Sequence, residues 1–110
     1  MGKREEFGLV FYKSKDERHD RMRHWCMPEN EKYADLSFID AGSDIDACVA
    51  LRAEIVKALN SQPYLWTIAT DQWEDMFISI EPPNIKVNDL TISLSDMKAL
   101  LDEWITFATS

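Results

Sequence analysis

The chain has 110 residues, 45% of them hydrophobic and 29% charged, which is the length of one domain and the balance of a folded protein rather than a disordered one. Twelve Lys and Arg against twenty Asp and Glu leave a net charge of −8, which disfavours nucleic acid and anionic membrane surfaces as partners. Three glycines are too few for the phosphate loops and dinucleotide fingerprints that need close backbone approach.

The N-terminus, MGKREEFGLVFYKSKDERHD, opens on charges, and residues 1–6 are expected to be flexible at the start of a single domain spanning 1–110. Its apolar stretch, Phe7 to Tyr12, is too short for a secretory signal and is followed by no small-residue cleavage site. Met1-Gly2 is a poor myristoylation cue with Glu6 where Ser or Thr is expected. No apolar run approaches the ~20 residues needed to cross a bilayer. Without an export signal, Cys26 and Cys48 are read as reduced thiols and the protein as cytoplasmic.

Strands are predicted over 7–12, 21–26 and 36–40, then a helix over 44–60. Ser43 and Asp46 have capping-box spacing, with Asp in place of the usual Glu. Ile45, Cys48, Val49, Arg52, Val56 and Leu59 recur at helical spacing, Arg52 being the one charged member of the stripe. Pro63 in NSQP ends this helix, because it pushes the preceding residue out of helical geometry. Further strands are predicted near 64–69, 75–81 and 85–92. Tyr64, Trp66 and Ile68 share one face, as do Met76, Ile78 and Ile80. EPPN turns the chain, since proline cannot serve a central ladder. An Asn88-Asp89 turn then separates Ile85 and Val87 from Leu90, Ile92 and Leu94. A closing helix covers 94–108, capped by Ser93 or Ser95, with Met97, Leu100, Leu101, Trp104 and Ala108 on its apolar face and Asp102 and Glu103 opposite. The expected architecture is α+β, a mainly antiparallel sheet with two helices packed on it.

Charge is unevenly spread. Residues 1–27 carry seven Lys or Arg against five Asp or Glu, whereas residues 28–110 carry five against fifteen. That acidic field attracts a basic protein or a cation, though an acidic surface also serves solubility alone. Within it, the stretch DQWEDMF places Asp71, Glu74 and Asp75 around Trp73. These carboxylates lack the ligand spacing and glycine of a calcium loop. Paired carboxylates for glycoside hydrolysis would need a cleft that a chain of this size has little surface to build. As a loop between two strands, the stretch instead suits a binding epitope, since tryptophan is a favoured interface anchor and flanking acids steer and pair with a basic partner. The competing reading folds Trp73 back onto the core and leaves the acids solvated.

Other candidates are weaker in pattern. His19, His24 and Cys26 offer three zinc ligands with no matching pair downstream, and Cys48 lies on an apolar helical stripe. Cys26 has His24, Arg21 and Arg23 nearby, the setting of a cysteine nucleophile, but no further group supports it. Arg18, Arg21 and Arg23 with Trp25 suit phosphate or stacking, yet Asp16, Glu17 and Asp20 interleave and cancel their field. Trp66 and Trp104 belong to core stripes, and Trp25 fits either role. No cofactor, metal or catalytic residue is assigned.

The C-terminal run VNDLTISLSDMKALLDEWITF, a strand leading into a capped helix, and the acidic, aromatic TDQWEDMF resemble segments of the immunity proteins of bacterial contact-dependent inhibition and other polymorphic toxin systems. The likeness covers general character over most of the chain and is closer over the last twenty or so residues. It implies a non-enzymatic protein that binds the C-terminal effector domain of a cognate toxin, a basic nuclease, and covers its active site or substrate-binding surface. The residues expected to meet that partner are Asp71, Trp73, Glu74 and Asp75; nothing in 88–108 is carried over as functional. Alternatives are an acidic nucleic-acid mimic, whose acids would be regularly spaced along an elongated surface, an adaptor subunit, or a small enzyme using Cys26 and His24. Oligomeric state stays open.

Overall fold

The structure is a computed structural model that describes residues 3–16, 21–43, 45–65 and 77–109. The architecture is α+β, as expected, but it holds two small antiparallel sheets rather than one. A helical turn α1 (Lys3–Glu6) leads into the hairpin strands β1 (Leu9–Asp16) and β2 (Arg21–Pro28). A run of 3₁₀ turns (Glu31–Ser43) and helix α2 (Asp46–Leu59) follow. Strands β3 (Ile78–Glu81), β4 (Asn84–Val87) and β5 (Leu90–Ser93) form a meander, and helix α3 (Leu94–Thr109) closes the chain.

The hairpin begins two residues later than the apolar run that predicts it. Gly8 sits at φ +68, a left-handed conformation that glycine adopts without a Cβ penalty, and the strand starts only beyond it. Leu9 and Cys26 point inward and are buried, whereas Val10 and Met27, paired across the strands, face out.

The strand predicted over 36–40 is not one. Leu36 and Phe38 suggest a period of two, but Tyr33, Leu36 and Ile39 recur at a period of three, which is that of a 3₁₀ helix. Leu36 and Ile39 are buried and Tyr33 packs beside the core, against the ring of Phe7. Asn30 starts the segment, its side chain and its carbonyl accepting the Lys32 and Tyr33 amides at 3.0 Å each. Asp40 then reaches across to β2 and accepts the Cys26 amide at 2.8 Å. This capping of a strand edge by a carboxylate takes the place of a third strand there.

Helix α2 forms where expected, with two corrections. Ile45, rather than Ser43, occupies the N-cap position, and its apolar side chain makes no cap hydrogen bond. The buried face is also turned by about one residue, or 100°, from the predicted stripe. Ala47, Cys48, Leu51, Glu54 and Ile55 are buried, while Val49 and Leu59 are 47% and 42% exposed. Leu51 and Ile55 outcompete Val49 and Val56 because they bury more apolar surface. The turn leaves Arg52 at the margin of the helix, where it pairs with Asp102 of α3. The helix ends as Pro63 suggests, in a Schellman arrangement. Gln62 N–H donates to the Lys57 carbonyl at 2.8 Å and Ser61 N–H to that of Ala58 at 3.2 Å, with Ser61 at φ 58.

The meander follows its sequence closely. Cross-strand partners bring Ile80, Ile85 and Ile92 into one row and Ile78, Val87 and Leu90 into the next. All but Leu90 are buried. Ser93 Oγ accepts the Asp96 amide at 3.1 Å, so Ser93 is the cap of α3. Met97, Leu100, Leu101 and Trp104 are buried as predicted. Asp102, partly exposed, reaches toward α2 and binds both Arg52 and Lys98. The buried residues of both sheets and both long helices form one cluster. No helix among the described residues is long and apolar enough to cross a membrane.

Candidate functional site

Asp71, Trp73, Glu74 and Asp75 lie outside the described residues, as do Trp66 and the rest of 66–76. The structure does describe the two ends from which that stretch is hung. At the near end, Leu65 N–H donates to Glu54 Oε1 at 2.8 Å, and Lys57 Nζ meets Glu54 Oε2 at 2.9 Å. Glu54 is a carboxylate on the buried face of α2, 8% exposed. The Leu65 amide, and then Lys57, hold its carboxyl below the ordinary range against the opposing effect of burial. A buried acid is tolerated here because both oxygens are hydrogen-bonded.

At the far end, Phe77 and Asn88 are doubly joined. Phe77 N–H donates to Asn88 Oδ1 at 2.9 Å, and Asn88 N–H donates to the Phe77 carbonyl at 2.7 Å. Asn88 stands at φ 54, a left-handed turn position that asparagine accepts more readily than most residues. Its Nδ2 donates to Asp35 Oδ1 at 3.3 Å, which ties the turn to the 3₁₀ segment. The acidic stretch is therefore tethered to α2 at one end and to the meander and 3₁₀ segment at the other.

The side chains at these tethers face water. Leu65 is 62% exposed and Phe77 53% exposed. In sequence this part of the chain is mostly acidic: residues 64–93 contain Asp71, Glu74, Asp75, Glu81 and Asp89 against Lys86 alone. Asp35 and Asp89 form no ion pair among the described residues.

The other candidates are placed differently. Cys26 and Cys48 are both free and buried. Burial, then the Asp40 carboxylate and Cys48, push the Cys26 thiol up to about 12, the reverse of what a nucleophilic cysteine requires. Cys48 donates its thiol proton to the Ile39 carbonyl at 3.3 Å. His24 stands edge-on to Phe107. Burial and then Lys13 lower its pKa, and it sits beside the aromatic cluster of Phe11, Trp104 and Phe107. Among the described residues no group of three His, Cys, Asp and Glu converges as a metal site would. His19 and Arg18 lie outside those residues. Trp25 is half-buried and stacks on Tyr12 at 6.4 Å. An open groove of about 470 Å³ runs past Arg4, Asp102, Glu103, Thr106 and Phe107. Its charges are already engaged: Asp102 by Arg52 and Lys98, and Glu103 by the Arg4 amide at 3.3 Å.

Two residues that hold the site escape a reading of the sequence. Glu54 looks like one more exposed helical acid until the buried face is known. Asn88 is visible as a turn residue, but its second role, fixing Phe77, needs a contact across eleven positions. In comparisons with protein-family models, with characterised proteins and with solved structures, nothing matches the chain.

Proposed function

We propose that the protein is an immunity protein: it binds the basic effector domain of a cognate bacterial toxin, a nuclease, and blocks its active site or substrate-binding surface without doing chemistry itself. The observation that carries this reading is the acidic excess of residues 64–93, five carboxylates against one lysine, with the backbone fixed at Leu65 and Phe77 on either side of 66–76. A nuclease surface shaped to bind phosphate is the natural complement of such a field. Asp71, Glu74 and Asp75 steer and pair with it, and Trp73 supplies buried area at the centre. Steering of this kind speeds capture, which an incoming toxin makes urgent.

The test is a pair of baits, the wild-type chain and the Asp71→Asn, Glu74→Gln, Asp75→Asn variant, applied to a lysate of the source cells at low salt. A basic nuclease or nuclease fragment retained by the wild type alone, whose cleavage activity the wild type then inhibits, supports the reading. Capture that is identical on both baits, or a captured protein whose activity is untouched, overturns it.

A further inference from the structure

Phe77 exposes 53% of its surface, and single exposed aromatics are common enough to mean little. What distinguishes Phe77 is how its backbone is held. The pair of hydrogen bonds with Asn88, at 2.9 and 2.7 Å, fixes both its amide and its carbonyl. Asn88 is itself held by Asp35. The ring therefore projects from a backbone whose ordering cost has been met within the fold, the condition under which an aromatic contributes most on binding. Around it stand Asp35 and Asp89, without cation partners among the described residues, and the sequence just before it carries Asp71, Glu74 and Asp75.

We propose that Phe77 is the apolar anchor of the partner interface, seated in an apolar pocket that Lys and Arg side chains rim on a basic protein. Asn88 is a positioning residue that does not touch the partner. The proposal rests on the reading that the acidic stretch meets a basic protein, and adds to it the form of the partner's surface. Charge selects this occupant over a second copy of the chain, since each copy carries −8 and would bring like charge to like.

The probe is a phage-displayed library of random peptides, selected on the full-length chain at low salt. Peptides rich in Lys and Arg and carrying a large apolar residue are expected. They bind Phe77→Ala at least about tenfold more weakly, whereas Phe77→Tyr restores most of the affinity. Unfolding in urea shows Phe77→Ala to be as stable as the wild type, which separates a lost anchor from a lost fold. Asn88→Gly, which keeps the left-handed turn but removes the carboxamide, lies between the two in affinity. If neutralising Asp71, Glu74 and Asp75 abolishes binding while Phe77→Ala binds as the wild type does, the anchor is refuted and the acidic reading stands. If the selected peptides show no basic excess, both fail. A dimer that Phe77→Ala dissolves would assign the ring to a second copy and overturn the proposal.

Discussion

Glu54, on the buried face of α2, accepts the amide proton of Leu65 eleven residues further along the chain. The bond secures the near end of the acidic stretch, and its strength depends on the carboxylate being charged. Because the folded carboxyl lies below its ordinary value of 4.5, its stabilisation is fully present above that value. It is lost as pH falls through the lower folded value. The urea midpoint of wild type is therefore expected to exceed that of Glu54→Gln at neutral pH. The gap should close on acidification below the folded carboxyl value.

The orientation of α2 makes a second prediction. Leu51 is fully buried, whereas Val49 is 47% exposed. Leu51→Ala should cost about 2–5 kcal/mol and Val49→Ala no more than about 0.5 kcal/mol by chemical denaturation. Equal losses would return the helix to the face read from its sequence.

Ser61 occupies the left-handed position of the Schellman turn that ends α2, at φ 58. Glycine relieves the Cβ crowding there, so Ser61→Gly should raise stability by up to about 1 kcal/mol, less the extra freedom it gives the unfolded chain. Ser61→Val should lower it.

The thiols provide a fourth prediction. With Cys26 pushed up to about 12 and both cysteines buried, neither should react with a thiol reagent such as iodoacetamide at neutral pH in the native state. Both should label once denaturant opens the fold. Rapid native labelling at Cys26 would revive it as a nucleophile.

Much of this fold is readable in the sequence, and the misses share a cause. The meander declares itself through alternating Ile78, Ile80, Ile85 and Val87 around two turns, and α3 through Met97, Leu100, Leu101 and Trp104, because each pattern is local. The 3₁₀ segment was obscured because Leu36 and Phe38 fit a strand as well as Tyr33, Leu36 and Ile39 fit a period of three. Only the Asp40 bond to β2 shows that the strand edge is already covered. In α2, two overlapping stripes one residue apart are both apolar, and packing against α3 decides between them. For the site, Trp73 and its acids are conspicuous in sequence. Glu54, Asn88 and Asp35 are not, because what they do depends on partners eleven or more positions away.

Asp71, Glu74 and Asp75 are proposed to draw in a basic partner. The most direct measurement is the Kd of the isolated complex as a function of salt, for wild type and for the Asp71→Asn, Glu74→Gln, Asp75→Asn variant. Binding is expected to be weaker by about tenfold at low salt for the variant, some 1.4 kcal/mol, with the two curves converging as salt rises. Superimposable curves at every salt concentration would contradict it.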